Sequence, residues 1–373
     1  MEIHTQTTPM QIHGGGFWRR EKVIGCGSSG FVSLASTNPT QPQNSSETNL
    51  ILPPLMAIKS TDISLSRSLK KEMKIISELQ GCPYIIQCYG DKLTYDDCET
   101  TYNLLLEFAS GGSLAQRIKS SENGVGLPID EVRRHTESIL QGLKHIHECG
   151  YVHCDIKPHN ILFCENNIAK IADFGVSRKA NKPKKKDATF RLRGTLLYLA
   201  PESIASNEYE QPCDVWALGC LVLEMITGKP AWDCPPNTGM YNLLRMISCG
   251  RQSPTIPRGV SKDARDFIEK CLVRDPNLRW TAEMLLTHPF IVSNNQDDQE
   301  IEGVLVADSS WGRIPQLVTD EHPDCSSPDD CAVEREAESS VCSGCEFDGK
   351  NKRKTDDVEE EEEWLSILSK QRY

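Results

Sequence analysis

A short run in the middle of the chain carries side chains that suit the transfer of a phosphoryl group. This run, residues 153–160, contains an aspartate, a lysine and an asparagine, and a second aspartate follows at position 173. The reaction needs a carboxylate that accepts a hydroxyl proton, a cation that neutralises the moving charge, and oxygen ligands for a divalent metal. Asp155 and Lys157 fit the first two roles. Asn160 and Asp173 fit the third, as ligands of Mg²⁺.

A glycine-rich segment ahead of this run predicts a loop that covers phosphates. Its residues are Gly25, Cys26, Gly27, Ser28, Ser29, Gly30, Phe31 and Val32. Glycine lets the backbone approach phosphate closely because no Cβ intervenes. Residues 31–35 continue with an extended pattern, whereas a dinucleotide-binding fingerprint requires a helix there. No Gly-Lys-Ser/Thr ends the segment, so it is not a Walker A loop, and a strand–loop–strand lid over a triphosphate fits better.

A lysine and a glutamate in the first hundred residues are expected to form an ion pair. Lys59 closes a short apolar strand, and Glu72 lies among apolar residues that recur at helical spacing. These residues are Leu65, Leu69, Met73, Ile76 and Leu79. A carboxylate on an apolar stripe is costly unless a cation meets it, so pairing would hold Lys59 toward phosphate oxygens. A solvated Lys59 is the alternative, and Glu78 on the same helix is expected to be solvated.

The elements that must position these residues form two unequal parts of one body. Residues 17–107 read as short strands with a single helix, and residues 108–290 read as mainly helical. One helical stripe in the second part consists of Val132, Thr136, Ile139, Leu143 and Ile146. Residues 215–226 are apolar nearly all round, which predicts a helix buried on every side. The sequence therefore predicts an α+β fold with a small strand-rich lobe and a larger helical lobe.

The segments that flank this body differ from it in composition and charge. Residues 1–16 are polar and end in glycines, so we expect a flexible arm. Residues 291–373 hold 22 acidic and 8 basic residues, whereas the first 290 residues hold 31 and 33. A tail of this composition is expected to be mostly disordered and regulatory. The near-neutral body lacks the basic surplus that phosphate contacts require, so no nucleic-acid partner is expected.

Cysteine usage and the start of the chain indicate the compartment. The 16 cysteines are irregularly spaced and too sparse for a disulfide scaffold, so free thiols in a reducing cytosol or nucleus are expected. The chain does not open on a signal-peptide pattern, and it has no apolar run long enough to span a membrane. Residues 182–186 and 350–354 are basic clusters that could serve as nuclear import signals. A solvated loop face is the alternative for each cluster.

The acidic tail offers two kinds of interaction. An acidic run followed by apolar residues, at positions 359–368, is typical of segments that fold onto a groove of a regulatory partner. A frayed end is the alternative. The tail could also dock in cis onto the basic cluster at residues 182–186.

The glycine-rich segment, the lysine strand, residues 153–160 and the Asp-Phe-Gly triplet at 173–175 together resemble the motifs of a eukaryotic protein kinase domain. The match follows the family's order and spacing from about Trp18 to Phe290. This resemblance implies the bilobal kinase fold, with ATP and Mg²⁺ bound between the lobes. It also implies that the substrates are proteins.

The resemblance assigns a role to individual residues. Asp155 would be the catalytic base and Lys157 would contact the γ-phosphate of ATP, while Asn160 and Asp173 would hold Mg²⁺. The further residues given catalytic roles are Lys59, its partner Glu72, and Thr195. The residues implied to bind ATP are Ile24, Gly25, Cys26, Gly27, Ser28, Ser29, Gly30, Phe31, Val32, Ala57, Lys59, Leu106, Glu107, Ala109 and Leu162.

The resemblance also implies two structural supports. Asp214, at the start of the predicted buried helix, would brace the loop at residues 153–160, and capping of that helix is a compatible role. Arg279 would pair with Glu202, which ends the activation segment at residues 173–202.

Other features resemble plant mitogen-activated protein kinase kinase kinases of the MEKK-like type. They are Trp18 ahead of the glycine segment, the stretch at residues 106–114, and Asp275-Pro276 ahead of Arg279. Lys157 and Thr195 stand as in serine/threonine-specific kinases. The implied function is phosphorylation of a downstream MAP kinase kinase in a plant stress or hormone cascade, by a monomer. A pseudokinase scaffold and a plant serine/threonine kinase outside that cascade are the alternatives.

One residue departs from the family pattern. Cys154 stands where most members have an arginine that meets a phosphate on the activation segment, which makes the chain a non-RD kinase. A neutral thiol cannot make the charge-assisted hydrogen bonds of a guanidinium. We therefore hypothesise that activity does not require phosphorylation of the activation segment in the usual way, or that it is switched by other means. Replacement of Thr189 tests this hypothesis.

Overall fold

In the computed structural model, nine stretches of the chain are described. They are residues 18–27, 30–37, 52–96, 99–121, 124–164, 167–181, 192–233, 238–249 and 253–292. The arm at residues 1–16, Ser28 and Ser29 of the predicted lid, the basic clusters at 182–186 and 350–354, and the tail beyond residue 292 lie outside the described residues.

The strand-forming residues of the first hundred positions build one antiparallel sheet. Its strands are β1 (Trp18–Gly27), β2 (Gly30–Thr37), β3 (Leu55–Asp62), β4 (Cys88–Asp96) and β5 (Glu99–Glu107). They pair in the order β1-β2-β3-β5-β4, with antiparallel neighbours throughout. Strand β3 lies in the middle of the sheet, and its inner six residues are buried. Lys59 is one of these six residues, so its side chain lies in the interior.

Helix α1 (Arg67–Glu78) packs beside this sheet and against β4. It buries Leu69, Ile75 and Ile76 together with the carboxylate of Glu72. The apolar helical pattern predicted from Leu65 onward starts one turn before the observed helix. Leu65 itself lies in a 3₁₀ turn ahead of the helix and is 70% exposed. That turn is separately capped by a carboxylate, which accepts the backbone N–H of its second residue, so the helix proper starts after it.

The rest of the described chain is mainly helical, with two short strand pairs. The helices are α2 (Leu114–Lys119), α3 (Ile129–Glu148), α4 (Pro201–Ala205), α5 (Gln211–Thr227), α6 (Met240–Ser248), α7 (Lys262–Cys271), α8 (Ala282–Leu286) and α9 (Pro289–Val292). The pairs join β6 (Tyr151–Val152) to β9 (Arg178–Lys179) and β7 (Ile161–Phe163) to β8 (Ala169–Ile171). The predicted α+β fold, with a strand-rich lobe and a helical lobe, is confirmed.

Helix α5 forms the centre of the large lobe, as its unbroken apolar run predicts. Its residues from Cys213 to Leu223 are all buried, and α3 and α7 pack against it. Gly219 permits a close approach to α7, because a Cβ added there would lie 2.7 Å from the Cβ of Cys271. The stripe predicted for residues 132–146 lies in α3 and faces the interior.

Backbone and side-chain bonds join the two lobes. The N–H of Ile171 in β8 donates to the carbonyl of Tyr84 at 2.9 Å, and the N–H of Ile86 donates to the carbonyl of Ile171 at 3.0 Å. Lys170 also reaches both carboxylate oxygens of Glu107, at 2.6 and 2.8 Å. Among the described residues, no helix is long and apolar enough to cross a membrane, and all ten described cysteines are free.

Candidate active site

Lys59 stands at the centre of a buried ion cluster. Its Nζ lies 2.8 Å from Oε2 of Glu72 and 3.0 Å from Oδ1 of Asp173. Antiparallel pairing with β2 and β5 places Lys59 opposite Val32 and Leu104, and this interior position leaves the lysine only 8% exposed. The structure thus brings together a strand residue, a helix residue and a residue of the Asp-Phe-Gly triplet.

The charges in this cluster alter each other's protonation. Burial alone would lower the pKa of Lys59, but the carboxylates of Glu72 and Asp173 outweigh it and raise that pKa. Burial would likewise raise the pKa of Asp173, yet the nearby ammonium holds it below its usual value. Burial raises the pKa of Glu72. Two carboxylates share one ammonium, so a cation bound at Asp173 would improve the charge balance.

Asp155 lies in a second cluster, on the loop that follows β6. Its Oδ1 accepts the hydroxyl of Thr195 at 2.8 Å, and its Oδ2 accepts the side-chain amide of Asn160 at 3.0 Å. Lys157 places Nζ 3.0 Å from the same Oδ2 and donates to the Thr195 hydroxyl at 2.8 Å. A carboxylate, an ammonium and a hydroxyl are therefore held within hydrogen-bond reach of one another.

A buried carboxylate in α5 supports this loop from below. Asp214 is fully buried and accepts the backbone N–H groups of His153 and Cys154, each at 2.8 Å. The ring of His147 reaches the same carboxylate at 2.9 Å. The cap position of α5 belongs to Glu210, so Asp214 braces the loop rather than capping the helix.

Asn160 and Asp173 offer oxygen atoms that fit Mg²⁺. The amide nitrogen of Asn160 is engaged by the backbone carbonyl of Asp155 at 2.9 Å as well as by its carboxylate, which leaves the amide oxygen available. Oδ1 of Asp173 accepts from Lys59 and from the N–H of Gly175 at 3.3 Å, while its side chain remains 44% exposed. Hard oxygen donors in small number are what Mg²⁺ prefers when phosphates supply its other ligands.

The residues that the resemblance implies to bind ATP lie on several strands. Gly25 to Gly27 end β1 and Gly30 to Val32 open β2. Gly30 has φ +115°, and a Cβ there would clash with the carbonyl oxygen of Ser60, so Gly30 lies directly against the backbone of β3. Ala57 pairs with Leu106 across β3 and β5. In the large lobe, Leu162 lies in β7 and bridges to the segment that opens α2.

The far end of the activation segment is fixed to the large lobe. Arg279, whose side chain has no exposed area, binds both oxygens of Glu202 at 2.7 and 3.1 Å. Gly194 has φ +94°, and a Cβ there would lie 2.2 Å from the carbonyl oxygen of Cys154. Glycine at this point lets Thr195 follow close enough to reach Asp155. Thr189 lies outside the described residues.

The structure agrees with one expectation and reveals contacts that sequence reasoning missed. Glu78 is exposed, as expected, and it also accepts the hydroxyl of Tyr151 at 2.6 Å and lies 3.6 Å from Nζ of Lys179. Lys71, next to Glu72, donates to the carbonyl of Gly175 at 3.0 Å. The contact of His147 with Asp214 was not predicted from the sequence. No sequence signal pointed to Lys71, because it is one of several charged residues in α1.

Comparison with known proteins agrees with this geometry. The family model described as the protein kinase domain matches residues 18–291. In Arabidopsis thaliana, mitogen-activated protein kinase kinase kinase 20 is 45% identical over 286 residues, which cover 75% of this chain and 80% of the relative. Kinase kinase kinases 17 and 18 of the same plant are 34% and 36% identical over 310 residues, with 82% of this chain and 76% and 84% of the relatives covered. The chain therefore belongs to the protein kinase family.

Proposed function

We propose that this protein is a serine/threonine-specific MAP kinase kinase kinase that uses ATP and Mg²⁺ to phosphorylate a downstream MAP kinase kinase. The observation that carries the proposal is the presence of two complete clusters, one around Lys59 and one around Asp155. A pseudokinase scaffold would have no need of both. The names of the similar plant kinases support the place in the cascade, because each is called a MAP kinase kinase kinase.

The side chains suggest how the reaction would proceed. Asp155, which now accepts the Thr195 hydroxyl, would accept the proton of a substrate serine or threonine in the same way. Lys157 would neutralise the charge on the transferred group, and Lys59, held by Glu72, would orient the nucleotide phosphates. Mg²⁺ bound by Asn160 and Asp173 would supply further charge stabilisation for the phosphates.

A transfer assay tests this function. The full-length chain would be incubated with radiolabelled ATP, Mg²⁺ and a panel of plant MAP kinase kinases that are inactivated at their own ATP-binding lysine. We expect label on serine or threonine of at least one of them, no label with Asp155→Asn, and normal labelling with the control Asp263→Asn, which changes an exposed aspartate in α7. Label on other proteins alone would contradict the place in the cascade, and no label on any protein would contradict the activity.

We further propose that activity is independent of activation-segment phosphorylation. Cys154 is buried and its thiol faces the carbonyl of Val152 at 3.6 Å, an environment that offers nothing to a phosphate. Thr189→Ala should therefore retain activity toward the protein substrate. Loss of activity in Thr189→Ala that returns in Thr189→Glu would overturn this proposal.

We propose a monomer in the cytosol and nucleus, whose tail binds a regulatory partner. The free thiols support a reducing compartment, and the basic clusters at residues 182–186 and 350–354 support nuclear import. A fluorescent fusion in which either cluster is neutralised should lose nuclear signal. Deletion of residues 359–368 should remove a partner that co-purifies with the full chain. Light scattering of the purified protein would test the monomer.

A further inference from the structure

Helix α1 is tied to the activation segment at two points, one near its middle and one in its last turn. Near the middle, Lys71 donates to the carbonyl of Gly175 at 3.0 Å. In the last turn, Glu78 accepts the Tyr151 hydroxyl at 2.6 Å and lies 3.6 Å from Nζ of Lys179. All of these contacts join the small lobe to elements on the far side of the nucleotide cleft.

The Lys71 contact acts on the triplet that carries Asp173. Gly175 accepts from Lys71 through its carbonyl and donates through its N–H to Oδ1 of Asp173 at 3.3 Å. Asp173 has φ +63°, a left-handed conformation that disfavours residues with a Cβ and needs support from its surroundings. Because Lys71 directly precedes Glu72, the same turn of α1 fixes Lys59 through one residue and the Asp-Phe-Gly backbone through the other.

The Tyr151 contact acts on the strand pair beside the catalytic loop. Tyr151 is 3% exposed and pairs with Lys179 across β6 and β9, while Nζ of Lys179 lies 5.3 Å from the centre of its ring. The hydroxyl of Tyr151 lowers the pKa of Glu78, so the carboxylate stays ionised at neutral pH. The end of α1, the entry to the catalytic loop and the start of the activation segment thus meet at one carboxylate.

We propose that Lys71 and the Tyr151–Glu78 pair are positioning residues that hold α1 and the Asp-Phe-Gly triplet in the arrangement that joins Lys59, Glu72 and Asp173. Cys154 cannot anchor the activation segment through a phosphate, and Glu202 and Arg279 fix only its far end. The α1 contacts supply an anchor for its near end through the charged side chains of Lys71 and Glu78. This inference rests on the proposed kinase activity but not on the identity of the substrate.

Kinetic constants test the role of Lys71. Lys71→Met should lower kcat by about tenfold, the size expected when one hydrogen bond from a charged group is lost. KM for the protein substrate should stay within about twofold, because the substrate surface is untouched. Lys71→Arg should restore kcat, since a guanidinium can donate to the same carbonyl. Lys74→Met, which removes an exposed charge from the same helix, is the matched control and should leave both constants unchanged.

A double-mutant cycle shows whether Lys71 acts through the ion cluster. In a Glu72→Gln background, the cluster is already loosened, so the further Lys71→Met change should lower kcat by less than about twofold. A full tenfold additional loss would overturn the proposal. An equal loss in Lys74→Met would overturn it as well, because the effect would then be one of general charge.

Hydrogen exchange gives a readout that does not depend on activity. Amides of residues 173–181 should exchange several-fold faster in Lys71→Met and in Tyr151→Phe, which removes only the hydroxyl, and at the normal rate in Lys74→Met. Unfolding temperatures should agree within about 2 °C, which excludes general destabilisation. Unchanged exchange in both variants would sink the inference even if the enzyme is active, and faster exchange would uphold it even if no substrate is found.

Discussion

The two ion clusters of the active site are built in opposite ways. Asp155 meets Lys157 and Asn160 within one short loop that Asp214 braces from a fully buried helix. Lys59, by contrast, meets Glu72 and Asp173, which lie 13 and 114 residues away in sequence on separate elements. The contacts of Asp155 with Lys157 and Asn160 therefore form with their own loop, and only Thr195 joins them from the activation segment. The Lys59 cluster exists only while the sheet, α1 and the activation segment keep their relative places. The position of Asp155 thus depends mainly on one loop, and the position of Lys59 relative to its partners depends on three elements.

The largest effect should come from breaking the local cluster. Asp155→Asn keeps the shape of the side chain but removes the proposed proton acceptor, so kcat should fall by about a thousandfold. Nucleotide affinity should be retained, because the Lys59 cluster is intact. Steady-state kinetics and titration with a fluorescent ATP analogue would measure the two quantities. A comparable loss of nucleotide affinity would show that the clusters are not separable.

Breaking the long-range cluster should cost less activity and affect nucleotide binding. Glu72→Gln leaves Lys59 with Asp173 alone, and kcat/KM for ATP should fall by about a hundredfold, in line with the loss of one partner of a buried ion pair. The control Glu269→Gln changes an exposed residue of α7 and should have no effect. A change in kcat without any change in KM for ATP would argue that Glu72 does not act through Lys59.

Acid should destabilise the large lobe through His135, a buried residue of α3. Burial, together with nearby arginines, lowers the pKa of His135 to about 4 from 6.5. The folded state binds this proton less readily than the unfolded state, so the stability is present above the unfolded pKa and is lost as pH falls. Between about pH 7 and pH 5 the free energy of unfolding should drop by on the order of 2 kcal/mol. Denaturant titrations of His135→Gln, with His145→Gln as control, should show a flatter pH dependence only in the first variant.

The smallest effect should come from trimming the local cluster. Thr195→Val removes the hydroxyl that bridges Asp155 and Lys157, and kcat should fall by about tenfold, while Thr195→Ser should stay near the original value. Measurement of kcat for the original protein, Thr195→Val and Thr195→Ser under identical conditions would test this expectation. Equal loss in the serine variant would mean that the methyl group, and not the hydroxyl, positions the loop.

The difference between the clusters also sets what could be predicted from the sequence. The Asp155 loop was predictable because its members are close in sequence and their chemistry is distinctive. The contact of Lys59 with Glu72 was predictable for another reason: a carboxylate among apolar residues demands a cation. Both inferences used local pattern or a strong energetic penalty.

Other contacts could not be predicted because they depend on how elements pack. Glu78 lies on the exposed side of α1 by sequence, and only the position of β6 brings the Tyr151 hydroxyl to it. Nothing in the sequence around Lys71 distinguishes it from a lysine that is exposed to solvent. Leu65 fits the helical period, but it belongs to a 3₁₀ turn that has its own N-terminal cap and precedes α1. In each case tertiary placement or a cap overrode the pattern.

The burial of α5 has a consequence for heat inactivation. The helix that carries Asp214 is enclosed on all sides, so its amides should be among the last to open, and the loop suspended from it should share that resistance. On warming, we therefore expect nucleotide affinity to be lost first, whereas Asp155, the proposed catalytic base, stays in place until the large lobe unfolds.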